Sequence, residues 1–173
     1  MNIRKASVSD AEGIANVHVN SWKTTYKNII SDDYLNSLEI DKRLVFWKKI
    51  IEEGKSIVFV AENDKGEIVG FSSGGEEQTN DPKYMAEVYA IYILEGYQKK
   101  GLGKKLIKPV IEELINSRFP NLVIWALEEN TGRKFYESLG GKIVDKKSIL
   151  ISGSALTEVA YGWGDIHDAL LYL

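Results

Sequence analysis

The chain has 173 residues, 22 Lys+Arg against 25 Asp+Glu, a net charge of −3 and no cysteine. That length fits one domain with a sizeable core over residues 1–173, and 44% hydrophobic with 27% charged residues excludes disordered, collagen-like and coiled-coil chains. The missing cysteines remove disulfides, thiolate nucleophiles and iron–sulfur clusters, while His18 and His167 are too few for a histidine metal site, so no metal is expected.

The mildly acidic balance lacks the basic footprint of a nucleic-acid binder. No run reaches the ~18 apolar residues of a membrane span, and the polar start MNIRKASVSD has no apolar core behind it. The expectation is a cytoplasmic protein with neither nucleic acid nor membrane as partner.

In chain order, Ile3 to Ala6 reads as a short strand. Ser9 or Asp10 then offers an N-cap to a helix with Ile14, Val17, His18 and Trp22 at spacings of three and four. A second helical stretch runs from Ser31 through Leu35, Leu38, Leu44, Trp47 and Ile51 to a stop at Gly54. Ser56 to Ala61 and Glu67 to Ser73 flank the turn Asn63-Asp64-Lys65-Gly66, a β-hairpin pattern. Met85 to Leu94 is a long apolar strand. Leu102 to Asn116 has the helical period, with Pro109 expected to kink it or displace a bond. Leu122 to Leu127 is a strand, Gly132 to Leu139 a short helix, and Ile143 to Ile151 with Thr157 to Trp163 a closing pair of strands. The order predicts an α/β (α+β) fold: a mixed, mainly antiparallel sheet of about seven strands with helices on both faces.

Between strand and helix lies Glu95-Gly96-Tyr97-Gln98-Lys99-Lys100-Gly101-Leu102-Gly103-Lys104-Lys105. A glycine loop entering a helix presents free backbone N–H groups and the positive dipole end to an anion, and phosphate is the natural ligand. A P-loop would need Gly-Lys-Ser/Thr where Gly101 is followed by Leu102 and Gly103, and a dinucleotide loop would need a small residue at Leu106. The competing structural account is that the glycines only cap the helix and fit it to the sheet.

What remains, Gln-x-x-Gly-x-Gly after a strand, resembles the GCN5-related N-acetyltransferase (GNAT) family. A second segment, Asn130-Thr131-Gly132-Arg133-Lys134-Phe135-Tyr136-Glu137-Ser138-Leu139-Gly140-Gly141, is similar to that family's Asn…Phe-Tyr-Glu…Leu-Gly motif, with Gly132 where alanine is more usual. The resemblance implies an acetyl-CoA-dependent N-acetyltransferase. It assigns Gln98, Lys99, Lys100, Gly101, Leu102, Gly103 and Lys104 to the coenzyme's pyrophosphate, and main-chain groups of Ile91, Tyr92 and Ile93 to its pantetheine arm. Asn130, Lys134 and Tyr136 complete the cofactor-binding set. It further implies that the Ile93 N–H meets the oxyanion and that Tyr136, near the coenzyme sulfur, is the general acid. Glu87 stands where histone-type members carry their general base, with Glu76, Glu77 and Glu128 in reserve.

A base is needed because a primary amine with a pKa near ~10.4 is almost wholly protonated at pH 7 and removing that proton costs roughly 4–5 kcal/mol; a carboxylate facing the cleft can act directly or through a water, and other members of the family use water chains. With no cysteine, direct transfer in a ternary complex is preferred to an acyl-enzyme. The wall of the acceptor site in this fold comes from the helical segment after the first strand, so Trp22, Tyr26 and Tyr34 are its candidates. Clustered glutamates favour a cationic acceptor such as a polyamine or amino sugar, with a protein or peptide amine as the alternative. Dimers are common among such relatives, so a homodimer belongs to the expectation. His18 reads as a satisfied core or rim histidine.

Two other classes compete. Gly70-Phe71-Ser72-Ser73-Gly74 matches the G-x-S-x-G nucleophile elbow, but no helix follows it and only His167 could complete a triad. A non-catalytic acetyl-CoA sensor would keep Gln98, Gly101 and Gly103 without the proton-handling groups.

Overall fold

A computed structural model describes residues 1–79 and 81–173. Seven strands form one sheet in the order β1-β2-β3-β4-β5-β7-β6. β1 (Asn2–Lys5) pairs antiparallel with β2 (Ile57–Glu62), and β2 with β3 (Ile68–Glu76) across the expected turn, where Gly66 has φ 81°. β3 pairs antiparallel with β4 (Ala86–Ile93). β5 (Leu122–Leu127), β7 (Ser154–Trp163) and β6 (Lys142–Ile151) complete the other half, the last two joined through Ser152 and Gly153 at φ 51° and 79°. Two successive positive φ values are what a tight hairpin turn demands.

The helices cover both faces. α1 (Ala11–Thr25) buries Ile14, Val17 and His18 against β2 and β3, as their spacing requires, and is backed by α3 (Ile40–Glu53) through Trp47. On the opposite face α4 (Leu102–Asn116) buries Leu106, Ile107, Val110, Ile111 and Leu114. It runs unbroken through Pro109. Among the described residues no helix is long and apolar enough to cross a membrane.

One element differs from its expectation. The stretch from Ser31 is two helices, α2 (Asp32–Asn36), capped by Ser31, and α3, with Ser37 to Glu39 between them. The start of α1 is set by Asp10, whose carboxylate accepts from the Ser7 N–H at 2.7 Å and is bracketed by both terminal nitrogens of Arg4 at 2.7 and 2.8 Å. The Arg4 guanidinium holds the Asp10 carboxyl at about 2.

The central pair, β4 and β5, fixes the functional geometry. They run parallel but align only at Ala86↔Leu122 and Glu87↔Val123. Beyond that point they diverge. On its other edge β4 carries one extra residue against β3: Ser73 faces Ala90 and Gly74 faces Val88, leaving Tyr89 as the bulge.

Candidate active site

The parted strands open a cleft of about 590 Å³ whose walls include Val88 to Ile93 on one side and Ile124 to Ala126 on the other. Antiparallel alternation decides which main-chain groups point into it. The Leu94 N–H bonds to the Val69 carbonyl, so the peptide groups of Tyr92, in register with Phe71, face β3, whereas those of Ile91 and Ile93 face the open edge. The Tyr92 main chain is therefore spent on the sheet, a departure from the expectation that all three would be available. Its side chain instead stacks on His18 on the α1 face.

At the end of this edge the glycine loop turns into α4. Lys99 and Gly101 have φ 57° and 77°, and the first helical bond, from the Lys105 N–H to the Gly101 carbonyl, leaves the Leu102, Gly103 and Lys104 amides at the helix start. No acidic residue stands in that first turn. Gly101, Gly103, Lys99 and Lys104 line the cleft. Gln98 lines the cleft as well and donates to the Ile93 carbonyl at 2.8 Å; of the remaining loop side chains, Lys100 donates to the Gly96 carbonyl at 2.8 Å and Leu102 is buried in the core with Leu106. The Lys104 ammonium is bonded to the Tyr172 carbonyl. Gly103 also serves packing, because a Cβ there would stand 3.2 Å from the Phe135 ring. A phosphorylated ligand with a long arm fits the amide-lined loop and the open strand edge.

The second motif folds as a 3₁₀ turn, Thr131–Arg133, followed by α5 (Lys134–Ser138). Asn130 Oδ1 accepts from the Gly132 N–H at 2.8 Å, and a Cβ on residue 132 would lie 2.9 Å from that oxygen, which accounts for glycine there. Asn130 keeps its Nδ2 for the cleft it lines; Lys134 is exposed and outside the lining. Tyr136 lines the cleft beside Phe135, and among the described residues its hydroxyl has no hydrogen-bond partner. Burial pushes that hydroxyl well above its ordinary value.

Glu87 sits where β4 and β5 begin to part, on the face turned away from α4 and outside the residues that line the cleft. Burial is the largest influence on its carboxyl and lifts it to about 7, against the pull of the Gln78 N–H at 3.3 Å and of Lys147, and with the push of Glu77 and Glu158. Two of the three reserve carboxylates are otherwise occupied, and the third faces solvent. Glu77 accepts from the Thr79 and Asp81 amides, Glu128 pairs with Lys146, and Glu76 is exposed at the end of β3.

Of the acceptor-wall candidates, Tyr26 lines the cleft, its hydroxyl 3.4 Å from that of Tyr92. Trp22 stands behind it with ring centroids 4.9 Å apart, and Tyr34 packs on the same cluster outside the lining. His18 accepts from Trp47 Nε1 at 3.1 Å and burial lowers it to about 3, a neutral core histidine. Ser72 of the elbow pattern is fully buried inside β3, and His167 pairs with Asp165 at 2.8 Å on the surface, so neither supports a hydrolase.

Three residues of the site escaped the sequence reading. Trp125, Glu158 and Lys147 share the Glu87 face across β5, β7 and β6. The available signal was Glu158, a lone charge in the otherwise uncharged strand Ser154–Trp163.

The family described as acetyltransferase (GNAT) matches residues 22–140. A Bacillus subtilis (strain 168) protein, described as the uncharacterized N-acetyltransferase YuaI, is 38% identical over 166 residues, 96% of this chain and 94% of its own. The spermidine N(1)-acetyltransferase of Thermoplasma acidophilum is 25% identical over 152 residues, 84% of this chain and 90% of its own. Among solved structures, YncA from Salmonella typhimurium, described with its cofactor acetyl-CoA, superposes with a TM-score of 0.72 at 22% identity, covering 94% of this chain and 92% of that one.

Proposed function

Because the chain belongs to the acetyltransferase (GNAT) family and is an acetyl-CoA-dependent N-acetyltransferase, we propose that its acceptor is a primary amine of a small molecule, a polyamine or an amino sugar. Transfer is direct, within a ternary complex. The observation that carries this reading is Glu87: a carboxyl raised by burial to about 7, placed where the strands part on the acceptor-facing side.

The coenzyme supplies the acetyl group as a thioester. The amides of Gly101, Leu102, Gly103 and Lys104 would hold its pyrophosphate, with the Ile91 and Ile93 main chain along the pantetheine arm. Glu87 then takes the proton from the acceptor's ammonium, directly or through one water, and a pKa near neutrality suits a base that must be both ionised and proton-accepting at pH 7. The Ile93 N–H points from the open edge toward the cleft, where it can donate to the acetyl oxygen. Tyr136 keeps its proton across the working pH range because its hydroxyl is raised, and it offers that proton to the departing sulfur.

A name held by a relative, spermidine N(1)-acetyltransferase, supports a cationic acceptor, as do the Glu77 and Glu158 carboxylates whose charge is felt at Glu87. The sensor reading explains the loop but gives no role to the raised carboxyl of Glu87 or to Tyr136, which lines the cleft.

Steady-state coenzyme release over a panel of amines tests the proposal. Saturation in both substrates with intersecting initial-rate patterns is expected. A thermal shift with acetyl-CoA but no turnover on any amine would favour the sensor; at a hundred times Kd the ligand should add about 2.7 kcal/mol. The Tyr136→Phe variant should lose about 10²-fold or more in kcat with little change in the Kd for acetyl-CoA. Equal loss of coenzyme binding would make Tyr136 a packing residue.

A further inference from the structure

On the acceptor face, beyond Glu87, three strands bring one small constellation together. The register sets Lys147 of β6 opposite Glu158 of β7, and Glu158 opposite Leu127 of β5, one step along the face from Trp125. The Lys147 ammonium stands 3.9 Å from the centroid of the Trp125 ring and 3.4 Å from Glu158 Oε2. An aromatic face with a partly desolvated carboxylate beside it is the chemistry that recognises an alkylammonium. The protein has filled that position with its own.

The occupant is loosely held. Lys147 comes from β6, an edge strand whose residues are mostly exposed, and its side chain is 37% exposed against 24% for Glu158. An ion pair so exposed is weak, and a flexible four-carbon stem can swing toward solvent. The ring lines the cleft and the carboxylate stands one step behind it: Trp125 is a lining residue, and the Glu158 charge is felt at Glu87 and at the lining tyrosines Tyr26 and Tyr92.

We propose that Trp125 and Glu158 form a subsite for a second ammonium group, carried by an aliphatic di- or polyamine, and that Lys147 occupies it until the acceptor displaces it. This rests on the amine-acceptor reading and narrows it from amino sugars to amines with a second charge several carbons from the reacting nitrogen. Glu87 serves the reacting end, Trp125 and Glu158 the far end.

The test uses the full chain with saturating acetyl-CoA and compares 1,4-diaminobutane with butylamine, which differ in the second ammonium. The expected result is a kcat/KM at least about tenfold higher for the diamine. Glu158→Gln should collapse that ratio toward unity. Lys147→Met, which removes the competitor, should lower the KM for the diamine severalfold. The proposal is overturned if the unmodified protein treats the two amines alike, if Glu158→Gln leaves the ratio unchanged, or if Lys147→Met raises the diamine KM. A parent protein that acetylates leucine better than either amine, and loses this with Lys147→Met, would make Lys147 an anchor for a carboxylate and likewise overturn it. Failure to acetylate any amine, with acetyl-CoA still bound, would remove the amine reading itself and the subsite with it.

Discussion

Replacing Glu87 by glutamine is expected to cut kcat/KM for an amine by about 10²–10⁴-fold while making the folded protein more stable at alkaline pH. The two effects have one cause. Burial raises the carboxyl from 4.5 to about 7, so the folded state binds that proton more tightly than the unfolded chain. The associated stability is fully present below the unfolded value and is lost as pH rises through about 7. At pH 8 the parent protein therefore carries a half-buried carboxylate that glutamine spares it. Discounted for partial exposure, the gain is about 1–2 kcal/mol, a few degrees in Tm for a chain of this size. At pH 4 the two should melt together. The same titration gives the activity its direction: kcat/KM should rise with pH through about 7 in the parent protein and lose that limb in the variant. A variant equally active at all pH values would remove Glu87 from the mechanism.

Gly101→Val should impair both the coenzyme site and the fold. At φ 77° glycine is unstrained, whereas a β-branched residue there costs about 1–2 kcal/mol or forces the loop out of its conformation. No atom within 4 Å would meet the added Cβ, so the effect is conformational and separable from a clash. If the loop gives way, the amides of residues 102–104 no longer converge, and the Kd for acetyl-CoA should rise more than tenfold. Calorimetric titration with acetyl-CoA measures that, and a thermal melt without ligand measures the strain. Unchanged affinity would mean that the loop amides do not hold the pyrophosphate.

The two motifs were legible because each is local. Gln98 through Gly103 lies within one strand-to-helix turn, and Asn130 through Tyr136 within one turn leading into α5, so their order in sequence is their order in space. The helical period of α4 and the apolar run of β4 were equally plain. The break between α2 and α3 was not, since Ser37-Leu38-Glu39 contains neither glycine nor proline and the apolar spacing continues across it. Assigning the whole stretch Ile91 to Ile93 to the ligand overlooked alternation: only every second peptide of an antiparallel strand faces outward, and which one depends on pairing with β3. The acceptor face was least legible of all. Trp125, Lys147 and Glu158 lie far apart in sequence and meet only because β7 inserts between β5 and β6, an order no local pattern announces.

The extra residue in β4 bears on how such a protein can vary. Side chains alternate along a strand with a period of two, so one supernumerary residue resets the parity of everything after it. Because Tyr89 is that residue, Tyr92 falls on the α1 face and Ile91 and Ile93 on the α4 face, with their peptide groups turned to the open edge. Substitution at position 89 leaves this count intact, whatever the side chain. Deletion of that one residue would leave both halves of the strand on their present faces, because Val88 and Ala90 would then follow one another opposite Gly74 and Ser73, the partners they already have. What deletion would remove is the bend and extra twist that a bulge puts into a strand, just past the point where β4 leaves β5.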